Sequence, residues 1–344
     1  MLLRHLAVFI LAVSTLPVTE SHAAAQPSAR DYQQWKLPRQ AATPADNLST
    51  PARVELGKML FFDPRLSRHG NTSCASCHNP GLGWSDGLAT ARGFDGQRLG
   101  RASPSIVNTG FNTIHMWDGR KKSLEDQATG PMEASVEMNT DFEKFFVWIN
   151  GNQGYQAAFA RAYPGQPIGA DTLKRAIAAF ERTIVSRDSP FDRWVAGDAK
   201  AMTAQQMRGM VLFNDQDKTN CVACHAAPNF TDNGFHNVGL ASFGDDGADP
   251  GRYAQKKVSL MKGAFKTPSL RDVERTAPYF HDGSAVRLKD VIEHYAQGGL
   301  SRGNLSPNMK PLTLTDADKE ALVAFMRALS SPPTRIIYPQ LPQE

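Results

Sequence analysis

The chain has 344 residues, 41% of them apolar and 21% charged, an ordinary globular composition with enough length for two domains. Its net charge of +4 comes from 38 basic and 34 acidic residues without a long basic run, which argues against a dedicated nucleic-acid binder. Four cysteines in 344 residues exclude a disulfide-stapled mini-scaffold.

Arg4, the apolar stretch Leu6 to Leu16 and Ser21-His22-Ala23 read as a signal peptide over residues 1–23, cleaved near Ala23. The stretch is shorter than the ~20 apolar residues of a spanning helix. An exported, periplasmic chain without stable membrane insertion is expected, with an uncleaved anchor as the other reading. From Ala24 to about Ser49 the Ala-, Pro-, Gln- and Ser-rich composition predicts an extended arm rather than a core element.

Two stretches then look alike. Gly57-Lys58-Met59-Leu60-Phe61-Phe62 leads to Cys74, and Gly209-Met210-Val211-Leu212-Phe213 leads to Cys221, each as an amphipathic helix and a loop. This weak repeat predicts domains over 24–187 and 188–344, with a boundary near Ser186 to Pro190. Leu173, Ile177, Phe180 and Ile184 recur at helical spacing, and Thr203 with Gln206 makes a capping-box signal before Met207, Met210 and Val211. Thr315 precedes one helical face of Leu322, Phe325, Met326 and Leu329; this last helix is a candidate to pack back on the first domain. Period-2 alternation is scarce, while 27 Gly and 22 Pro signal long loops. The fold class is mainly α with long loops.

All four cysteines lie in Cys74-Ala75-Ser76-Cys77-His78 and Cys221-Val222-Ala223-Cys224-His225. Two thiols three apart, followed at once by an imidazole, are what covalent attachment of a c-type haem requires: two thioether links and an iron ligand. A redox dithiol needs no adjacent histidine and favours a βαβ setting. A single zinc site using all four thiolates would leave His78 and His225 unexplained. Two covalent haems are therefore expected, one in each of two cytochrome c-like haem domains of the mainly α fold. An electron carrier closes both irons with axial ligands, whereas a catalyst needs one open face with polar groups beside it.

Further motifs carry a family resemblance. Trp117-Asp118-Gly119-Arg120, Glu125-Asp126-Gln127 through Pro131 to Val136-Glu137-Met138, Phe265-Lys266-Thr267-Pro268-Ser269-Leu270-Arg271 and Ala277-Pro278-Tyr279-Phe280-His281-Asp282-Gly283 occur in this order. From about Ala52 to Leu329 the chain resembles the bacterial di-haem cytochrome c peroxidase superfamily, which includes the MauG group. The resemblance implies that the haem on Cys74 and Cys77, with His78 as proximal ligand, is the peroxide site. It makes Glu137 the distal acid, Gln127 its polar neighbour, Pro131 the residue shaping the pocket and Trp117 an inter-haem electron relay. Taken alone, Glu137 could be a solvated loop carboxylate and Trp117 a core residue. A carboxyl group can move the proton that peroxide cleavage requires.

Two positions depart from the ordinary peroxidase pattern. Many members carry an iron-capping histidine sixteen residues after the first haem histidine, where this chain has Phe94. Phenylalanine cannot ligate iron, so an open resting haem is expected unless the glycine-rich loop shifts the alignment. Ordinary members also supply a methionine to the C-terminal haem, held by Cys221, Cys224 and His225. The matching position, seventeen residues after Pro278, is Tyr295, as in the MauG group. A phenolate is a harder, anionic ligand that lowers the potential. Leu288, Val291, Ile292 and Tyr295 share a helical face, so a core tyrosine stays open, with His294 or Met309 as substitute ligand. The family's inter-haem calcium would use the backbone carbonyls of Thr276 and Pro278, but Ala102 stands where an asparagine oxygen belongs. Calcium is left open.

These observations imply a periplasmic enzyme using hydrogen peroxide. A MauG-like oxidase acting on residues of another protein leads an ordinary peroxidase fed by a small cytochrome or cupredoxin. A non-catalytic electron carrier needs no Glu137, Gln127 or open pocket and ranks third. Homodimerisation is open.

Overall fold

Two helix crossings, alike in chemistry, organise the chain. The computed structural model describes residues 27–333 and 335–343, so the expected signal peptide lies outside the described residues. In the first half, α1 (Pro51–Phe62), α2 (Cys74–Cys77), α3 (Leu124–Ala128), α4 (Gly130–Glu133), α5 (Phe142–Gly151), α6 (Gln153–Ala162) and α7 (Ala170–Glu181) alternate with long loops. In the second half, α8 (Pro190–Val195), α9 (Ala204–Asn214), α10 (Leu288–Ala296) and α11 (Asp316–Arg327) do the same. The only named strands among the described residues, β1 (Phe235–His236) and β2 (Phe265–Lys266), form one short antiparallel pair.

Local sequence sets the helix ends. Pro51 opens α1 behind Thr50, whose side chain accepts from the Arg53 amide. Thr203 and Gln206 cap α9 reciprocally, and Thr315 with Asp318 does the same for α11. Leu56, Gly57, Met59, Leu60 and Phe61 are all buried. Thus α1 is a central helix and not the one-sided amphipathic helix its sequence suggests. It crosses α7 where a Cβ on Gly57 would overlap the Ala176 carbonyl oxygen, and α9 crosses α11 where Gly209 meets Ala321 in the same way. The glycines let two backbones touch. Leu173, Ile177 and Phe180 fill the first core from α7, and Leu322, Phe325 and Met326 fill the second from α11.

The termini change places. The arm expected to be extended contains a 3-10 segment, Ala29–Trp35, and Trp35 is buried 4.4 Å from Phe230 between ring centroids, inside the second core. An apolar indole wins burial there despite the polar composition around it. The last helix does not pack back on the first domain: α11 lies against α9 and α10. The segment beyond it returns instead. Ile336 and Leu341 pack on the first core, Tyr338 meets Phe62 at 5.2 Å, and the Pro342 carbonyl accepts from Arg65 at 3.0 Å. The stretch from Ser186 to Pro190, where the boundary between domains is expected, is tied down by hydrogen bonds. Ser186 and Ser189 are buried; the Asn108 amide donates to Ser186 O at 2.9 Å, and Ser186 Oγ donates to Asp272 at 2.8 Å.

Gly57→Ala and Gly209→Ala are each expected to destabilise the holoprotein by ~1–3 kcal/mol through overpacking at the crossings. Gly151→Ala, at the open end of α5 with nothing within 4 Å of an added Cβ, should be neutral or slightly stabilising. Urea midpoints measure all three; a neutral Gly57→Ala would disprove the close-approach account.

Candidate active site

Each Cys-x-x-Cys-His segment is a tight turn closed on itself. Ser73 and Ser76 cap the single turn α2, and the His78 amide donates to Cys74 O at 2.9 Å. The second copy turns through the 3-10 segment Cys221–Ala223, with the His225 amide donating to Cys221 O at 3.0 Å. These turns bring both thiols of each pair and the following imidazole to one cavity.

The imidazoles are oriented from behind. His78 Nδ1 lies 3.2 Å from Trp84 O and His225 Nδ1 lies 3.0 Å from Phe230 O. A carbonyl only accepts, so Nδ1 carries the hydrogen and Nε2 keeps its lone pair for a metal. Burial lowers both histidines toward the neutral, ligating form. Trp84 and Phe230 both adopt left-handed backbone, φ 60° and 54°, a conformation that aims their carbonyls back at the rings. Sequence reasoning missed this pair, because large aromatic residues carry no signal for positive φ.

One cavity of about 830 Å³ joins the two segments, and it is lined by Cys74, Cys77, His78, Cys221, Cys224 and His225. No disulfide competes, since all four cysteines are free. Burial pushes the Cys77 and Cys221 thiols up to about 11, so both are neutral thiols in the apo chain. Paired thiols, oriented imidazoles and a shared interior fit two covalent haems. Cys224, Asp232 and His236 also come together as a metal-competent trio. With Cys224 committed to a thioether, what remains is the ion pair of His236 and Asp232 at 2.8 Å, a contact that raises the imidazole and lowers the carboxyl.

Glu137, Gln127 and Pro131 line the cavity with His78. Gln127 is held in α3, and Pro131, in α4, accepts through its carbonyl from the Met138 amide at 3.0 Å, which fixes the turn carrying Glu137. On the other side, Val136 O accepts from the Phe94 amide at 3.0 Å and from Gln97 Nε2 at 3.2 Å. Burial raises the Glu137 carboxyl above its ordinary range, and the Arg120 charge pulls it back. Arg120 itself is paired with Asp118 at 3.0 Å.

Phe94 does not line the cavity. Its ring stacks on His69 at 4.9 Å, and Arg92 and Gly93 line the cavity in its stead. Trp117 does line it, with its indole N–H donating to Ala102 O at 2.9 Å. The Asp118 carboxylate pairs with Arg101, which reaches across to Asp249 at 2.6 Å. Lys266 is buried and donates to Thr267 O, and Arg271 is buried against Asp192 at 2.6 Å.

At the second segment, Tyr295 and Met309 line the cavity, but His294 does not: its Nε2 donates to Val238 O at 2.8 Å. That nitrogen is thereby engaged away from the cavity. Burial raises the Tyr295 hydroxyl, reinforced by the nearby Cys224 and Cys221 thiols. Thr276 and Pro278 line the same cavity, and the nearest candidate for a third calcium group, Ala102, spends its carbonyl on Trp117.

A family model for di-haem cytochrome c peroxidase matches residues 51–200, and one for cytochrome c matches residues 206–330. Over 309 residues the chain is 45% identical to the methylamine utilization protein MauG of Methylorubrum extorquens, covering 90% of this chain and 86% of that protein. It is 39% identical to the cytochrome c551 peroxidase of Pseudomonas aeruginosa, covering 84% and 81%. A crystal structure of a MauG-like protein associated with microbial copper homeostasis matches with a TM-score of 0.81 at 29% identity, over 86% of this chain and 95% of that one. The chain belongs to the di-haem cytochrome c peroxidase and MauG family of haem-dependent, peroxide-utilising oxidoreductases.

Proposed function

We propose that the chain is a periplasmic MauG-like oxidase: it uses hydrogen peroxide at an open N-terminal haem, and Tyr295 closes the C-terminal haem. The observation that carries this reading is that Tyr295 faces the shared cavity, while Phe94 turns out of it onto His69. When bound, the haems supply iron redox chemistry and hold the oxidising equivalents of peroxide. The chain's own residues do the rest. Glu137, as carboxylate, accepts a proton from one peroxide oxygen and returns it to the other, so that the departing oxygen leaves as water. Gln127 orients peroxide by hydrogen bonding. Pro131 fixes the turn behind Glu137, and the Arg120 charge opposes the upward push of burial on the acid. Trp117, pinned by Ala102, serves as an aromatic relay along the cavity wall.

The electrons come from residues of a protein substrate. A calcium ion would be held by the carbonyls of Thr276 and Pro278, with water standing in for the missing side chain at Ala102. A second reading rests on Met309, which shares the cavity with Tyr295. A thioether there would make an ordinary peroxidase, reduced by a small cytochrome or cupredoxin.

Peroxide turnover with a reduced small cytochrome separates the readings: fast turnover selects the ordinary peroxidase, and little turnover alongside rapid haem oxidation selects the MauG-like enzyme. Tyr295→Phe is expected to convert the C-terminal haem from low-spin to high-spin in electron paramagnetic resonance, and an unchanged spectrum would reject Tyr295 as ligand. Glu137→Gln should slow haem oxidation by peroxide ~100-fold. The rate should fall as pH drops through the raised value of Glu137, because the ionised form is the proton acceptor. Arg120→Ala removes the opposing charge, so the acidic limb of the pH–rate profile should move to higher pH; a shift to lower pH would contradict the electrostatic role.

A further inference from the structure

Glu181, the last residue of α7, is a carboxyl group for which the peroxide chemistry has no use. It lines the same cavity, is 5% exposed, and its Oε2 has no hydrogen-bond partner. An isolated buried charge is costly, so such a group must either find a countercharge or hold a proton. The adjacent cation is already committed. Arg182 Nη1 lies 2.8 Å from Glu125 Oε1, and Nη2 donates to Glu125 Oε2 at 2.8 Å.

The other surroundings offer little more. From α1, the groups meeting this end of α7 are Gly57, Phe61 and Phe62, none of them charged. From α2 comes Cys74, whose thiol feels the Glu181 charge. From α3 comes Glu125, and His115 lines the cavity nearby under the influence of Arg182 and Glu125. Burial pushes Glu181 up to about 8, opposed by Arg182 and reinforced by Glu125. Lys266 lines the same cavity and spends its hydrogen bond on the Thr267 carbonyl, while a haem attached at Cys74 would bring to this wall a charge that changes with oxidation state. A ferric haem carries one more positive charge than a ferrous one, and in a dry wall that difference is weakly screened.

We propose that Glu181 is the redox-linked proton site of the N-terminal haem. When a protein donor gives this haem one electron, iron passes from ferric to ferrous and the Glu181 carboxylate takes one proton from solvent. The net charge of the cavity wall is unchanged. On oxidation the electron leaves and the proton returns to solvent. The inference rests on covalent haem at Cys74 and Cys77 and not on the identity of the substrate, and its test uses no peroxide.

Spectroelectrochemical titration of the holoenzyme on either side of pH 8 checks it. The midpoint potential of the N-terminal haem should fall as pH rises through this window. Glu181→Gln should flatten that slope while leaving the haem on Cys221 and Cys224 unaffected, and Glu181→Asp should restore it. An identical slope in Glu181→Gln overturns the proposal. So does a slope kept there but lost in Glu137→Gln, since that outcome assigns the proton to the distal acid. The wild type supplies an independent measurement should Glu181→Gln fail to fold. Reduced-minus-oxidised infrared spectra should gain a protonated carboxyl band on reduction, and its absence overturns the proposal as well.

Discussion

The hydrogen bond from an imidazole Nδ1 to a backbone carbonyl is the interaction on which the rest of the molecule depends. His78 finds Trp84 O and His225 finds Phe230 O, and each bond settles which nitrogen faces the cavity. Both accepting carbonyls belong to residues with positive φ, a conformation that costs of order 1 kcal/mol or more for a large side chain. The surrounding packing offsets it. Trp84 lies against Phe61 and Phe180, and Phe230 lies against Trp35, Phe191 and Phe213. The helix crossings at Gly57 and Gly209 therefore do more than fill two cores. They place the aromatic wall that keeps each strained carbonyl, and through it each iron ligand, in position.

The two halves share this plan and diverge in what faces the distal side. The first half presents Glu137, Gln127 and Pro131, with a loop latched to Val136 O; the second presents Tyr295 and Met309. One half thus lines the cavity with a carboxyl and an amide, and the other with a phenol and a thioether. The Arg101 bridge from Asp118 to Asp249 and the Arg252 bonds to Asp118 O and Gly119 O tie the Trp117 segment to both halves. Asymmetric chemistry is built on a repeated scaffold.

The haem attachment residues were legible in the sequence because covalent chemistry demands fixed residue types at fixed spacing, and no other arrangement uses Cys-x-x-Cys-His twice. The capped helices were legible for a similar reason, since Thr203 with Gln206 and Thr315 with Asp318 act within one turn. Features set by distant partners were not. Trp35 sits in a polar segment, and only the second core, with Phe191 and Phe230, gives it a place. Phe94 was legible as a residue that cannot bind iron, but its stacking on His69 depends on the fold of an entire loop. Glu181 carries no signal in the local sequence. Its isolation follows from Arg182 being taken by Glu125, a pairing across separate helices.

The exchanged termini give the chain a closed topology. Arg65 holds the Pro342 carbonyl across 277 residues of sequence, and Arg271 reaches the Trp35 carbonyl across 236. Contacts so remote in sequence carry a large loop-closure entropy and form late in folding. Neither half can complete its core until the opposite end of the chain has arrived. Each half is thus finished by the end of the chain that belongs to the other, so removing either terminal segment would open the core of the half in which that segment does not begin.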